Sequence, residues 1–168
     1  MLKDELDATD WNILAILQQT ARIPNVELAD RVHLTPSPCL ARVKALEESE
    51  IINRYVALLD PAAVGLGVNV LVQVTLDRQV ESALAIFEQA VTKRPEVMEC
   101  YLMTGASDYL LRVAVADLDE FQRFVVGFLS RIPGMGNIRS SVALKRVKYK
   151  TELPLPIESK KTKHRGRR

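Results

Sequence analysis

The side chains of this chain best placed for chemistry are polar groups clustered near residue 40. Ser37, Arg42 and Lys44 fall wholly or partly on the outer side of one helical stretch. A hydroxyl, a guanidinium and an ammonium there can meet phosphates and base edges. Arg42 is the strongest candidate, because its fork pairs bidentately. Thr35, Pro36 and Pro38 stand at the start of the same helix, and Arg54 follows downstream. Catalysis has little material. The two histidines are His33 and His164, and no Ser/His/Asp or Gly-rich phosphate signature occurs, so no enzyme is expected. Cys39 and Cys100 have no CxxC spacing and no nearby histidine, which argues against zinc, and no metal or other cofactor is expected. They read as small apolar fillers in a reducing cytoplasm.

The elements that position the polar cluster lie in residues 25–47. Val26, Leu28, Ala29 and Val32 predict one short helix, and His33-Leu34 a tight turn. Thr35 or Ser37 offers a hydroxyl cap to a second helix, with Pro36 or Pro38 in its first turn. Leu40, Val43 and Leu46 point that helix inward. This suits a helix-turn-helix whose second helix enters a major groove of double-stranded DNA. From this stretch alone an ordinary helical hairpin fits as well, with Arg42 or Lys44 paired to Glu47 or Glu48. Upstream, Leu6-Asp7-Ala8-Thr9-Asp10 supplies caps for a first helix carrying Trp11, Ile13, Leu14, Ile16 and Leu17. Residues 18–24 read as a loop. Residues 51–59 are β-rich, and complete a winged head over residues 1–60.

The 168 residues, 48% hydrophobic and 26% charged, describe a globular chain of one or two domains, not a disordered one. No run approaches a membrane span, and no signal peptide opens the chain. Net charge is +2, unevenly placed. Residues 159–168 hold six basic residues and no acid, whereas residues 1–60 hold six basic and ten acidic. Residues 151–168 read as a basic, disordered tail that adds nonspecific DNA affinity or is simply solvated.

Residues 61–67 form a connector, and beyond it the periodicity changes. Val68, Val70, Val72, Val74 and Leu76 alternate, predicting a strand. A helix through Phe87, strands over 97–103 and 109–116, a helix through Phe124 and a strand over 138–144 follow, the last extended by residues 145–150. The order is βαββαβ, a ferredoxin-like domain over residues 68–150, making the whole an α+β protein. Leu71, Met98, Cys100, Leu102, Leu110 and Ala114 would line the sheet face away from the helices. That half-covered face predicts a homodimer packed sheet to sheet.

Six motifs occur in a characteristic order. They are Leu6-Asp7-x-x-Asp10-x-x-Ile13-Leu14, Arg22-Ile23-Pro24-Asn25-Val26-Glu27-Leu28-Ala29, and Leu34-Thr35-Pro36-Ser37-Pro38-Cys39-Leu40-x-Arg42-Val43-x-x-Leu46-Glu47. Ala57-Leu58-Leu59-Asp60-Pro61, Gly105-x-x-Asp108-Tyr109-Leu110-Leu111 and Ile132-Pro133-Gly134 complete them. Over residues 6–150 the chain is similar to the leucine-responsive regulatory protein/AsnC family of bacterial and archaeal transcription regulators. The resemblance implies a cytoplasmic, nucleoid-associated, sequence-specific DNA-binding regulator that controls amino-acid metabolism genes. It implies dimers assembling to tetramers or octamers, and an amino-acid effector. The effector pocket would lie around Met103, Gly105, Ala106, Asp108 and Tyr109, with Ser140 from the last strand. Asp108 would anchor the α-ammonium group. Family members often place two hydroxyls on that last strand, and here Ile138 replaces one of them. The alternative is a DNA-organising protein of the same fold without an effector.

Overall fold

The structure, a computed structural model, describes residues 6–156. The chain divides into a helical unit and a sheet unit. Among the described residues, the helical unit comprises residues 6–57 together with residues 148–156, and the sheet unit is Leu58–Val147.

Three helices make the first unit: α1 (Ala8–Gln19), α2 (Asn25–Arg31) and α3 (Pro36–Glu48). A reciprocal cap starts α1. The Asp7 carboxylate accepts from the Thr9 and Asp10 N–H groups at 2.8 and 2.9 Å, and the Asp10 carboxylate accepts from the Asp7 N–H at 3.1 Å. The turn between α2 and α3 is closed at His33, which takes the left-handed conformation at φ +57°. The Leu34 N–H then reaches the Ala29 carbonyl at 2.9 Å, and the His33 N–H reaches that of Asp30 at 3.2 Å. These bonds satisfy the carbonyls that a helix end leaves open. Asn25 donates through Nδ2 to the Pro36 carbonyl at 2.8 Å, which fastens the start of α2 to the start of α3. Ile13, Leu14, Leu17, Leu28, Ala29, Val32, Cys39 and Leu46 are the buried core. Full burial of one such aliphatic side chain contributes roughly 1.5–3 kcal/mol.

Several local expectations are corrected. Val26 is 61% and Leu40 43% exposed. The phase of α3 is set by Cys39, Val43 and Leu46, and Leu40 lies roughly 100° around the helix from Cys39. Neither Thr35 nor Ser37 caps α3 through its hydroxyl. An N-cap oxygen bonds the second or third helical N–H, and Pro38 at the third position has none. Helix α1 runs on to Gln19, inside the expected loop. Residues 51–59 form no strand, because β propensity needs a second strand to receive its N–H and C=O groups. Ile51 and Ile52 pack on the helical core instead.

Of the expected tail, residues 157–168 lie outside the described residues. Residues 151–156 have no regular secondary structure, yet they are held to the helical unit. Leu155 packs against its core, the Leu153 N–H donates to Gln18 Oε1 at 2.6 Å, and Gln18 Nε2 donates to the Leu153 carbonyl at 3.4 Å.

The second unit is the expected βαββαβ arrangement: β1 (Val68–Leu76), α4 (Glu81–Val91), β2 (Val97–Leu102), β3 (Tyr109–Val115), α5 (Leu118–Gly127) and β4 (Met135–Val142). The sheet is antiparallel throughout, in the order β2-β3-β1-β4. Alternate residues Val70, Val72, Val74 and Leu76 of β1, with Tyr109, Leu111, Val113 and Val115 of β3, are buried with Phe87 and Val91 of α4 and Phe124 of α5. β4 starts at Met135, three residues before Ile138, and residues 145–150 do not extend it. Gly136 is required where β1 and β4 slip register, because a Cβ there would sit 2.9 Å from the Thr75 carbonyl oxygen.

The open face of the sheet differs from expectation because β2 also slips register, between Val97 and Glu99. An extra residue flips the side chains that follow. Cys100 pairs with Leu111 and Leu102 with Tyr109, both on the helix-covered side, while Glu99 and Tyr101 join Arg112 and Leu110 on the open side. Arg112 donates from Nε and an Nη to Glu99 Oε1 at 2.9 and 2.7 Å. The guanidinium holds the Glu99 carboxyl below its ordinary value. The open face is therefore part polar, with Leu71, Leu110 and Ala114 its apolar members.

Candidate nucleic-acid interface and effector site

Helix α3 presents a first turn of Thr35, Pro36, Ser37 and Pro38, all exposed. Pro36 and Pro38 lack an N–H, so Ser37 alone of the first three helical positions can offer one outward. Its hydroxyl stands beside it. Ala41 and Lys44 follow Ser37 at spacings of four and three, both exposed. This gives one solvent face carrying a helix N-terminus, a hydroxyl, a small residue and an ammonium. Anions are favoured at such an end. Glu47 closes the face and accepts from the Tyr55 hydroxyl at 2.8 Å. Desolvation and this bond push the Tyr55 phenol up to about 12. Arg54 is exposed and lies outside every helix and strand.

Arg42 is turned elsewhere. One guanidinium Nη meets Asp7 Oδ2 at 2.7 Å and Asp10 Oδ1 at 2.8 Å. The Asp10 side chain is only 7% exposed. The expected local partners, Glu47 and Glu48, are thus replaced by two carboxylates on the first turn of α1. The Asp10 N–H and the Arg42 guanidinium hold the Asp7 carboxyl below its ordinary value, and both carboxylates raise Arg42. Arg42 ties α1 to α3. By sequence Asp7 and Asp10 are helix-start residues, since spacing within one helix cannot name a partner on another.

In the sheet unit, the candidates fall in unlike places. Met103, Gly105 and Ala106 are exposed on the β2–β3 loop, with Gly105 at φ +131°. The Met103 N–H closes the loop on the Asp108 carbonyl at 2.8 Å. Asp108 is 5% exposed. Its Oδ2 accepts from the Leu76 N–H at 2.7 Å and its Oδ1 from the Gln79 side-chain amide, while its own N–H meets the Val74 carbonyl at 2.8 Å. Tyr109 is a core residue and not a loop residue. Its ring lies 4.5 Å from that of Phe87, and its hydroxyl donates to Glu88 Oε1 at 2.7 Å. Burial pushes its phenol up. Ser140 is exposed on β4 and pairs with Val72 of β1. The structure therefore brings Met103 and Asp108 together, and adds Gln79, which no motif had singled out.

Among the described residues, no group of histidine, cysteine and acidic side chains could hold a metal, and no helix is long and apolar enough to cross a membrane.

Residues 6–53 match the family model for a winged helix-turn-helix DNA-binding domain, and residues 69–153 that for the Lrp/AsnC ligand-binding domain. The leucine-responsive regulatory protein of Escherichia coli K12 is 40% identical over 149 residues, covering 89% of this chain and 91% of that protein. A transcriptional regulator of Neisseria meningitidis, solved as its L-Met complex, is 43% identical with a TM-score of 0.86, covering 90% of this chain and 97% of that one. An AsnC family regulator of Agrobacterium tumefaciens is 38% identical with a TM-score of 0.84, covering 89% and 97%. With a DNA-binding helical unit and a ligand-binding sheet unit, the chain belongs to the Lrp/AsnC family, whose members are transcription regulators and not enzymes.

Proposed function

We propose that this regulator reads a specific duplex sequence through α3 and adjusts that binding to an amino acid held by its sheet unit. The observation that carries the reading is the exposed face of α3. Ser37 and Lys44 supply donors to phosphate and base edges, the Ser37 N–H meets a phosphate, and Thr35, Pro36 and Pro38 shape the approach. Arg54 adds a backbone contact beside the groove. Arg42 serves the interface by holding the head together. The effector is an amino acid, as the L-Met complex of the Neisseria relative suggests. It is bound near Met103, Gly105, Ala106 and Asp108, with Ser140 at the margin. The genes controlled are those of amino-acid metabolism, and the protein works in the cytoplasm at the nucleoid. The working form is a homodimer that assembles to a tetramer or octamer, for which the exposed run of Val56, Leu58 and Leu59 and the open sheet face provide apolar surface.

One observation favours a second reading. Both oxygens of Asp108 are already served within the chain, as they would be in a DNA-organising protein without an effector.

Fluorescence anisotropy tests the first reading. DNA from upstream of this protein's own gene is compared with a scrambled duplex, for the full chain and for protein truncated before Ser159, at two salt concentrations. Preference for the upstream DNA that survives truncation is expected. Equal binding to both duplexes, lost on truncation or at higher salt, would overturn sequence-specific reading by α3.

A further inference from the structure

The two bonds to Asp108 are unequal in kind. Oδ2 is bound by the main chain of Leu76 at the end of β1, where β1 and β4 slip register, and that N–H cannot leave without opening the strand. Oδ1 is bound by the side-chain amide of Gln79, an exposed residue in the short loop before α4. A buried carboxylate must keep its acceptors satisfied, so some donor has to occupy Oδ1 when no ligand is present. The neutral Gln79 amide fills that place with a bond to which only the carboxylate brings charge. A primary ammonium would bring a full positive charge to the same oxygen and pair with the carboxylate as an ion.

We propose that Gln79 is a displaceable placeholder on Asp108, and that an α-ammonium ligand binds by exchanging with the Gln79 amide. This rests on the amino-acid reading above and specifies its mechanism. Every ligand then competes with an internal donor, which sets its apparent affinity and rejects molecules without a cationic nitrogen. Gln79 immediately precedes Val80, the cap of α4, and the Val80 carbonyl accepts from the Ala83 and Leu84 N–H groups at 2.9 and 3.1 Å. Release of Gln79 therefore frees the loop that anchors the first turn of α4, coupling occupancy of the carboxylate to a neighbouring element.

The test is calorimetric titration of the full-length protein and of Gln79→Ala with L-Met, N-acetyl-L-Met and each of the other common amino acids. Circular dichroism confirms that the variant is folded. Removing the competing amide is expected to tighten binding of the responding amino acid about three- to tenfold, the size of one net hydrogen bond. N-acetyl-L-Met, without the ammonium, should bind neither protein. Asp108→Asn should abolish binding in both backgrounds. An amino acid that binds the parent and binds Gln79→Ala equally or more weakly would overturn the placeholder while leaving the effector reading intact. Equal binding of N-acetyl-L-Met would do the same. Silence of both proteins across all amino acids would overturn the effector reading, and the placeholder with it.

Discussion

Replacing Arg42 by alanine separates two roles that one arginine on α3 can play. The side chain spans two carboxylates of unlike exposure. Asp7 is half exposed, so its pair with Arg42 is screened and worth a few tenths of a kcal/mol, roughly. Asp10 is 7% exposed, and without Arg42 its buried carboxylate keeps only the 3.1 Å bond from the Asp7 N–H. Leaving a buried polar group short of a partner costs about 1–3 kcal/mol, and more when the group is charged. Arg42 is itself 36% exposed, which moves the expectation to the lower part of that range, about 1–2 kcal/mol. In a domain of this size each kcal/mol corresponds to roughly 4–8 °C in melting temperature. Thermal and urea unfolding followed by circular dichroism read the loss. Its pH dependence follows from Asp7. The folded carboxyl lies below its ordinary 3.8, so its contribution is present above that pH and disappears as pH falls through the lower folded value. The Asp10 N–H, which the variant keeps, is the largest cause of that shift, so only the Arg42 share differs and the gap should narrow by no more than a few tenths of a kcal/mol, roughly, below about pH 4. At 25 °C, with the head still folded, operator affinity should change less than about twofold. Lys44→Ala gives the opposite pattern: an unchanged melting temperature, weaker binding to every duplex, and a salt slope reduced by about one. Parental stability in Arg42→Ala, joined to a tenfold loss of operator affinity, would refute the reasoning and restore Arg42 as a base reader.

Two further outcomes are expected. A chain ending at Lys150 loses Leu155 from the helical core and both Gln18–Leu153 bonds, so the head should melt several degrees lower, about 1–2 kcal/mol, and an unchanged unfolding curve would exclude a structural role for residues 151–156. His33→Gly relieves a left-handed residue at the end of α2 while keeping its two main-chain bonds, and should raise stability by up to about 1 kcal/mol, measurable as a higher urea midpoint.

The order of elements, and most of the core, could be read from residue types alone. Alternation through Val70, Val72 and Val74 names a strand, and the spacing of Ile13, Leu14 and Leu17 names a helix face, because each periodicity is a property of one backbone segment. His33-Leu34 marks a turn for the same local reason. The six motifs, all contiguous in sequence, carried the family.

What stayed hidden depends on groups far apart in the chain. Arg42 meets Asp7 and Asp10, 35 and 32 residues away, and a surface arginine next to Glu47 has the same local pattern whichever it chooses. One inserted residue at Met98 turned Cys100 and Leu102 to the other face of the sheet, which no count of alternating residues reveals. Residues 51–59 have strand composition without a strand, since pairing requires a partner the local sequence does not contain. Asp108 was legible as a loop acid, but its donors, Leu76 and Gln79, lie 32 and 29 residues away in the chain. Local backbone preference is written residue by residue; hydrogen-bond and charge partners are chosen only when burial brings distant segments together.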